Sequence, residues 1–352
     1  MRYKNILQDS INSISNLEVL KETKILIVGA SGLIGRFTVD LLMELNNSLD
    51  YNIAIYAVSR NKEYGESIFG NYLENKNFKY ISHDVTKEFD LEVSFDYIIN
   101  AASNTHPLSY SKDPIGTIMT NVVGFENVLK LATKSSPKKI VCLSSVEVYG
   151  KNVDGTEIFN EDYCGYIDCN TLRAGYPESK RCAEALSQAY IAQKGLDISI
   201  ARLTRCYGPT MKLDDSKAMS QFLKKGLNKE DIVLKSKGEQ IFSYCFIADA
   251  VSGIFTVLLK GKNGEAYNIS DNNSIIKLKD LAEYIATLSD TKVIFELPSN
   301  VESKGYSTAK EAVLGVDKIL TLGWRACVDI KSGVKATLEI LEKNNKLSKR
   351  NI

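Results

Sequence analysis

The chain has 352 residues, 44% hydrophobic and 25% charged, enough for one large α/β unit or two closely joined domains around a sizeable core. Its 44 lysines and arginines balance 43 acids, and the formal net charge of +1 gives no electrostatic reason to bind nucleic acid or an anionic membrane. Seven cysteines without a CxxC pair and only two histidines argue against a disulfide framework and a His-based metal site, so the cysteines read as reduced thiols.

From Met1 to Thr23 there is no continuous apolar stretch of signal-peptide type, and these residues read as an N-terminal extension. No apolar run reaches the roughly 18 residues of a membrane span, so the expected compartment is the cytoplasm. Lys24 to Val28 reads as a buried strand, followed by a glycine turn and an apolar-striped helix from Ile34 to Leu45. Further strands are expected at Ile53 to Val58, Phe78 to Ile81 and Tyr97 to Asn100. A helix from Ile115 to Thr133, a strand from Lys139 to Leu143, a helix from Tyr176 to Lys194 and a strand from Ile198 to Leu203 complete the alternation. Strands alternating with helices imply parallel βαβ units, and continuous apolar strands imply a sheet covered on both faces. After Gly208-Pro209 the pattern changes to helices at Ser216 to Leu227, Leu278 to Leu288 and Val334 to Glu342 among short strands. The expected fold class is therefore α/β. A Rossmann doubly wound parallel sheet would occupy 24–204, with segments near 240–272 returning to it. A smaller mixed α/β substrate lobe would take most of 205–352, and the polar tail Lys343 to Ile352 is expected to fray.

The first strand runs into Gly29-Ala30-Ser31-Gly32-Leu33-Ile34-Gly35. Glycines there let the backbone turn tightly and approach a pyrophosphate, and the following helix offers free N–H groups and a positive dipole end. The second strand ends Ser59-Arg60-Asn61, with no acid for a free ribose 2′-hydroxyl. Arg60 suits the 2′-phosphate of NADP, which favours NADP over NAD. Asp84, beside Val85, is placed either to hold the adenine amino group or to cap its own turn. Tyr176 and Lys180 are four apart on one helix face, with Pro177 in the first turn, so an ammonium can sit beside a phenol and favour its ionised form. The preceding strand delivers Ser144-Ser145-Val146-Glu147-Val148-Tyr149-Gly150, whose hydroxyls can share a substrate oxygen with Tyr176.

With these pieces in order, the chain resembles the extended short-chain dehydrogenase/reductase family, in particular its sugar-nucleotide epimerases and dehydratases. The matching segments are GASGLIG at 29–35, NAAS at 100–103, Asn121 in TNVVGFENVL, SSVEVYG at 144–150, YPESK at 176–180, RCYGP at 205–209 and YNIS at 267–270. The resemblance implies a nicotinamide cofactor, NADP or NAD, bound by Gly29, Ser31, Gly32, Leu33, Ile34, Gly35, Arg60, Asp84, Val85, Ala101, Ala102, Ser103, Asn121 and Lys180. It implies a nucleoside-diphosphate sugar as substrate, with Ser145 holding a sugar oxygen, Tyr176 as acid or base and Lys180 on the nicotinamide ribose. A place in making cell-surface polysaccharide and a homodimer also follow from it. The pairing helices would be those at 115–133 and 176–194, where Val122, Val123 and Phe125 and Ala183 and Leu186 are placed either to face a partner or, as is more common, to pack in the core.

Glu147 bears most on the reaction. Relatives that abstract a proton beside a new ketone, the 4,6-dehydratases and also the sugar-acid decarboxylases, often carry Glu there, and a carboxylate can serve as a second acid or base. Two departures from the family pattern stand out: Phe242 replaces an Arg in the phosphate-gripping segment 238–243, and Arg205 replaces an Asn. Arg205 is expected to take over the pyrophosphate contact, with Tyr207 beside it, and the missing Arg at 242 counts against the decarboxylases. Asn104, Thr105 and His106 are placed either to face the sugar or to cap the loop before Pro107. The leading expectation is a 4,6-dehydratase or epimerase. The alternatives are an NADPH-dependent reductase of a nucleotide-linked keto sugar or keto polyol, and a Rossmann binding protein without turnover.

Overall fold

The structure is a computed structural model that describes residues 2–105, 112–152, 155–296 and 311–350. Five apolar or stem-bearing residues, Lys24–Val28, form strand β1, and Ile25 to Val28 are fully buried. A strand buried on both faces needs neighbours on both edges and helices above and below. It has β2 (Ala54–Ser59) on one side and β4 (Tyr97–Asn100) on the other, both parallel. Beyond β2 lies β3 (Phe78–Ser82); beyond β4 lie β5 (Lys139–Ser145), β7 (Ile198–Leu203) and β11 (Ala266–Ile269). Among the described residues this is a seven-stranded parallel sheet in the order β11-β7-β5-β4-β1-β2-β3. The chain moves outward from β1 in both directions, so a crevice opens at the carboxyl ends of β1 and β4, where such sheets bind ligands.

The two faces carry separate cores. Ile25 and Ile27 pack with residues of α1 (Tyr3–Asn12), α2 (Leu33–Leu49) and α7 (Ile247–Lys260). Leu26 and Val28 pack with residues of α4 (Pro114–Ser135) and α5 (Gly175–Lys194). The alternation follows from the two-residue period of a strand. Helix α1 lies in the stretch read as a bare extension. Ile6, Leu7 and Ile11 bury one side of it, and Tyr3 Oη donates to Asp40 Oδ2 of α2 at 2.6 Å. Of the residues placed either on a partner face or in the core, Phe125 and Ala183 are 1% and 3% exposed and belong to the inner core. The strand β5 runs two residues past the expected Leu143, because Ser144 and Ser145 stay in register with Arg202 and Leu203 of β7.

The second layer is built around β10 (Ile241–Phe246). It pairs with β12 (Ile275–Lys277), with β14 (Glu311–Leu314) and with β8 (Arg205–Tyr207), and β14 continues to β6 (Ile158–Phe159). A separate pair, β9 (Ile232–Leu234) and β13 (Val293–Phe295), flanks α6 (Ala218–Leu227) and α8 (Leu278–Ser289). The short α3 (Lys62–Phe69) follows β2, and α9 (Asp317–Leu320) precedes the last helix, α10 (Ile330–Arg350). The tail expected to fray is therefore helical to Arg350. Val334, Leu338 and Leu341 recur at helical spacing and bury one stripe of α10. No described helix is long and apolar enough to cross a membrane, and all seven cysteines are free thiols.

Candidate active site

The glycine turn sits where β1 meets the end of β4. Gly29 has φ +85°, and a Cβ there would lie 2.6 Å from the Ala101 carbonyl carbon and the Ala102 nitrogen. At Gly35 a Cβ would lie 2.3 Å from the Gly29 oxygen. These two glycines close the turn against its own backbone. Gly32 is different: it is exposed, and a Cβ would meet only the Gly29 oxygen at 3.4 Å. Its open face and the uncapped first turn of α2 leave backbone N–H groups for an anion. Around this turn the buried Asn100 Oδ1, Ser103 Oγ and Asn121 Oδ1 have no hydrogen-bond partner among the described residues. Orphaned buried polar atoms beside a phosphate cradle fit a dinucleotide that would satisfy them. The Asn121 amide nitrogen is engaged, donating to Ser179 Oγ of α5 at 2.8 Å.

At the end of β2, Asn61 caps α3, its side chain accepting from the Tyr64 N–H at 2.9 Å, and Arg60 is exposed beside it. The Asp84 carboxylate accepts from the Thr86 N–H at 3.0 Å and the Thr86 hydroxyl at 2.9 Å. Those bonds, with the charge of Arg60, outweigh burial and hold its carboxyl below the usual range. Asp84 thus caps its own turn, the second of the two readings its position allowed. Val85 presses on α4 at Gly124, where a Cβ would come within 2.7 Å of its Cγ2. From across the cleft, Thr210 donates to the Leu33 carbonyl at 2.9 Å and Lys212 lies 4.0 Å over the Tyr64 ring.

The reacting side is assembled from two turns. The single 3-10 turn Val146–Tyr149 follows β5, and its N-cap Ser145 accepts from the Glu147 N–H at 3.3 Å. A second 3-10 turn, Leu172–Ala174, leads into α5, whose first residues bring Tyr176, 7% exposed, and Lys180, 5% exposed. Lys180 Nζ donates to the Leu143 carbonyl of β5 at 2.8 Å, which sets its ammonium under the strand that ends in Ser145. Burial pushes its pKa down. Ser179 Oγ donates to the Tyr176 carbonyl at 2.8 Å and joins this turn to Asn121. The two turns meet through a salt bridge the sequence motifs did not announce: Arg173 Nη2 lies 3.0 and 3.1 Å from the two Glu147 oxygens. Arg181 adds a backbone clamp, donating to the Val148 carbonyl and to the Gly165 carbonyl, each at 2.7 Å.

Behind the site, Glu184 receives two arms of Arg202 at 3.0 and 2.7 Å and the Ser144 hydroxyl at 2.5 Å. Arg202 also reaches Tyr149 Oη at 3.1 Å, and Tyr149 donates to Asn268 of β11 at 2.5 Å. This network fixes β5, α5, β7 and β11 against one another without touching the cleft.

On the substrate side, Arg205 stacks on Phe242, its guanidinium carbon 3.7 Å from the ring centroid. The parallel register of β8 and β10 brings the two departures from the family pattern together. Thr105 accepts from Lys217 Nζ at 2.9 Å, so a cation from the loop before α6 reaches the end of β4. Asn104 lies on the same loop, and His106 lies outside the described residues. Tyr207, expected to line the substrate, is fully buried instead. Its ring packs between Tyr244 and Phe246 and its hydroxyl faces the Ile330 carbonyl of α10 at 3.4 Å. Arg173 and Lys217 escaped the sequence reading because neither belongs to a short motif, and Lys217 meets a partner 112 residues away.

The family model described as the NAD dependent epimerase/dehydratase family matches residues 25–270. A UDP-glucuronic acid decarboxylase of Arabidopsis thaliana is 32% identical over 317 residues, covering 88% of this chain and 86% of that protein. One from Xenopus tropicalis is 27% identical, covering 91% and 72%. In fold, the chain is similar to a dTDP-glucose 4,6-dehydratase of Streptomyces venezuelae with NAD bound, with a TM-score of 0.79, 21% identity and coverage of 92% and 98%. A UDP-glucose 4-epimerase of Thermotoga maritima gives a TM-score of 0.76 at 22% identity, covering 92% and 99%. The chain belongs to the NAD dependent epimerase/dehydratase family.

Proposed function

We propose that this family member is an enzyme of the 4,6-dehydratase or epimerase type, which oxidises a carbinol carbon of a nucleoside-diphosphate sugar and then moves a proton at a neighbouring carbon. The observation that carries this reading is the placement of Ser145 and Glu147 at the carboxyl end of β5, with Lys180 bonded to Leu143 of that strand, Tyr176 one turn before Lys180 on α5, and the Glu147 carboxylate held by Arg173. A cofactor with its pyrophosphate at the glycine turn and its nicotinamide near Lys180 would supply a reversible hydride acceptor. The Ser145 hydroxyl and Tyr176 phenol would grip one sugar oxygen, and Tyr176 would take or return its proton. Lys180 would favour the phenolate by its charge. Glu147 would accept a proton from the carbon beside the carbonyl, and Arg205 would hold the diphosphate.

The cofactor we infer is NADP in preference to NAD. No acid follows β2, Arg60 is exposed there, and Arg36 on the first turn of α2 buries an Nε with no hydrogen-bond partner among the described residues. We also infer a homodimer working in the cytoplasm. In support of the dimer, Ile115, Ile118 and Met119 of α4 and Leu172 before α5 are exposed, and Val122, Val123 and Leu186 are half-buried.

A decarboxylase reading is favoured by the relatives at 27–32% identity that carry that name, and Glu147 is as compatible with it as with a dehydratase. Phe242 weighs against it, since decarboxylases resemble one another in using an Arg there near the sugar. The deciding experiment releases and identifies bound cofactor, then offers UDP-glucose, dTDP-glucose, UDP-N-acetylglucosamine and UDP-glucuronic acid with and without NADPH. A sugar product without net cofactor consumption supports the proposal. Release of carbon dioxide from UDP-glucuronic acid makes the chain a decarboxylase. Stoichiometric NADPH oxidation makes it a reductase.

A further inference from the structure

We propose that Arg173 is a positioning residue for proton transfer: it holds the Glu147 carboxylate towards the substrate and couples it to the turn carrying Tyr176. The proposal rests on the role given to Glu147 above.

Ser145 and Glu147 share one 3-10 turn, and Arg173 and Tyr176 share the approach to α5, three residues apart. The Arg173–Glu147 pair braces these two halves of the catalytic set across 26 residues of chain. Its geometry is specific. One amino group, Nη2, lies 3.0 and 3.1 Å from the two carboxylate oxygens, so it sits astride the carboxylate and fixes the direction in which the carboxyl group points. With side chains 26% and 40% exposed, such a pair adds little to stability. The backbone of the Glu147 turn is already clamped to α5 by Arg181, through the Val148 carbonyl. The Arg173 contact falls on the carboxylate itself, which points to orientation of a reacting group.

At a carbon beside a transient carbonyl, the C–H bond breaks and its proton goes to a Glu147 oxygen. The electron pair becomes the C=C bond of an enolate, and the negative charge moves to the oxygen gripped by Ser145 and Tyr176. Glu147 must start as the carboxylate for this step. The bridging Nη2 lets one oxygen take the proton while the other keeps its hydrogen bond to Arg173.

The test uses the full chain with its bound cofactor, in heavy water, with UDP-glucose, dTDP-glucose, UDP-N-acetylglucosamine and UDP-glucuronic acid as probes. Deuterium entering the sugar is read by NMR, cofactor reduction by absorbance, and folding by Tm. Arg173→Gln is expected to slow deuterium entry by about tenfold or more while cofactor reduction stays within about twofold. Arg173→Lys should recover most of the loss. In a Glu147→Gln background Arg173→Gln should have no further effect, because it acts through that carboxylate. The same loss in both backgrounds, or equal loss of both steps, overturns the proposal. Wild-type exchange that survives Arg173→Gln overturns it alone. A wild type that reduces cofactor but exchanges no deuterium overturns the Glu147 reading and this proposal together.

Discussion

The guanidinium carbon of Arg205 lies 3.7 Å from the centroid of the Phe242 ring, and these are the two residues that depart from the pattern the sequence resembles. The phenyl ring orients the cation and shields one face from water, and the proposed function gives this guanidinium the diphosphate of the substrate. Phe242→Leu is therefore expected to weaken UDP and dTDP binding by about three- to tenfold, the equivalent of a modest cation–π term. Arg205→Ala should raise the Michaelis constant for the sugar nucleotide far more than it lowers the hydride step. Calorimetric titration with UDP and single-turnover kinetics check both. An unchanged Michaelis constant in Arg205→Ala removes Arg205 from the binding site.

The three glycines of the turn are expected to separate folding from binding. Gly35→Ala places a methyl 2.3 Å from the Gly29 oxygen and should lower Tm as well as abolish cofactor binding. Gly32→Ala meets only one atom, at 3.4 Å, and should leave Tm within about 2 °C while weakening cofactor binding by about tenfold. Thermal melts and reduced-cofactor fluorescence report the two effects. Wild-type affinity in Gly32→Ala would show that the phosphates lie elsewhere.

Arg60→Gln should cost NADP affinity by about tenfold and leave NAD affinity within about twofold. Competition with 2′,5′-ADP against ADP reads the same difference without any substrate. Equal losses for both cofactors would remove the 2′-phosphate from the site.

Stability should carry the signature of Asp249, a buried carboxyl on α7. Burial raises its pKa from 3.8 to about 6, against the N–H groups of Cys327 and Val328 that it accepts from and with help from nearby Asp271. A folded-state pKa above the unfolded one means that the native protein binds the extra proton. The associated stability is therefore full below about pH 4 and is lost as pH rises through about 6, up to about 3 kcal/mol in all. Asp249→Asn removes that titration and leaves every other group in place. The stability difference between wild type and variant should thus shrink between pH 4.5 and pH 7 in urea melts. A constant difference would mean that the carboxyl is not titrating in this window.

Much of the fold was legible because its signals are local. The apolar run Lys24–Val28, the glycine spacing and the Tyr176–Lys180 interval each lie within one element, and each sets the local backbone. What escaped depends on distance. The apolar spacing of Ile6, Leu7 and Ile11 in α1 is visible, but only the surfaces of α2 and α7 make ten residues worth ordering as a helix. Tyr207 belongs to a surface-like YGP motif, yet α10 covers it, crossing at Gly333, where a Cβ would come within 2.2 Å of the Tyr207 hydroxyl. The Glu147–Arg173 pair, the Thr105–Lys217 bond and the Arg205–Phe242 stack unite residues on different turns and loops. The site is read from sequence as a set of parts; its electrostatics come from how the layers meet.

The strand β11 has a consequence for synthesis. A chain grown only to Leu203 already contains the glycine turn, Ser145, Tyr176 and Lys180, but Arg202 and Tyr149 still lack Asn268, whose amide also ties down the carbonyls of Phe159 and Gly315. The glycine turn itself waits for α7, which covers Ile25 and Ile27 beneath it, and the floor under the reacting groups sets only after residues 266–269 and then 311–315 are in place. The segments made last therefore close the core under both halves of the site, so a chain truncated before them is left with the motifs and without the packing that holds them in place.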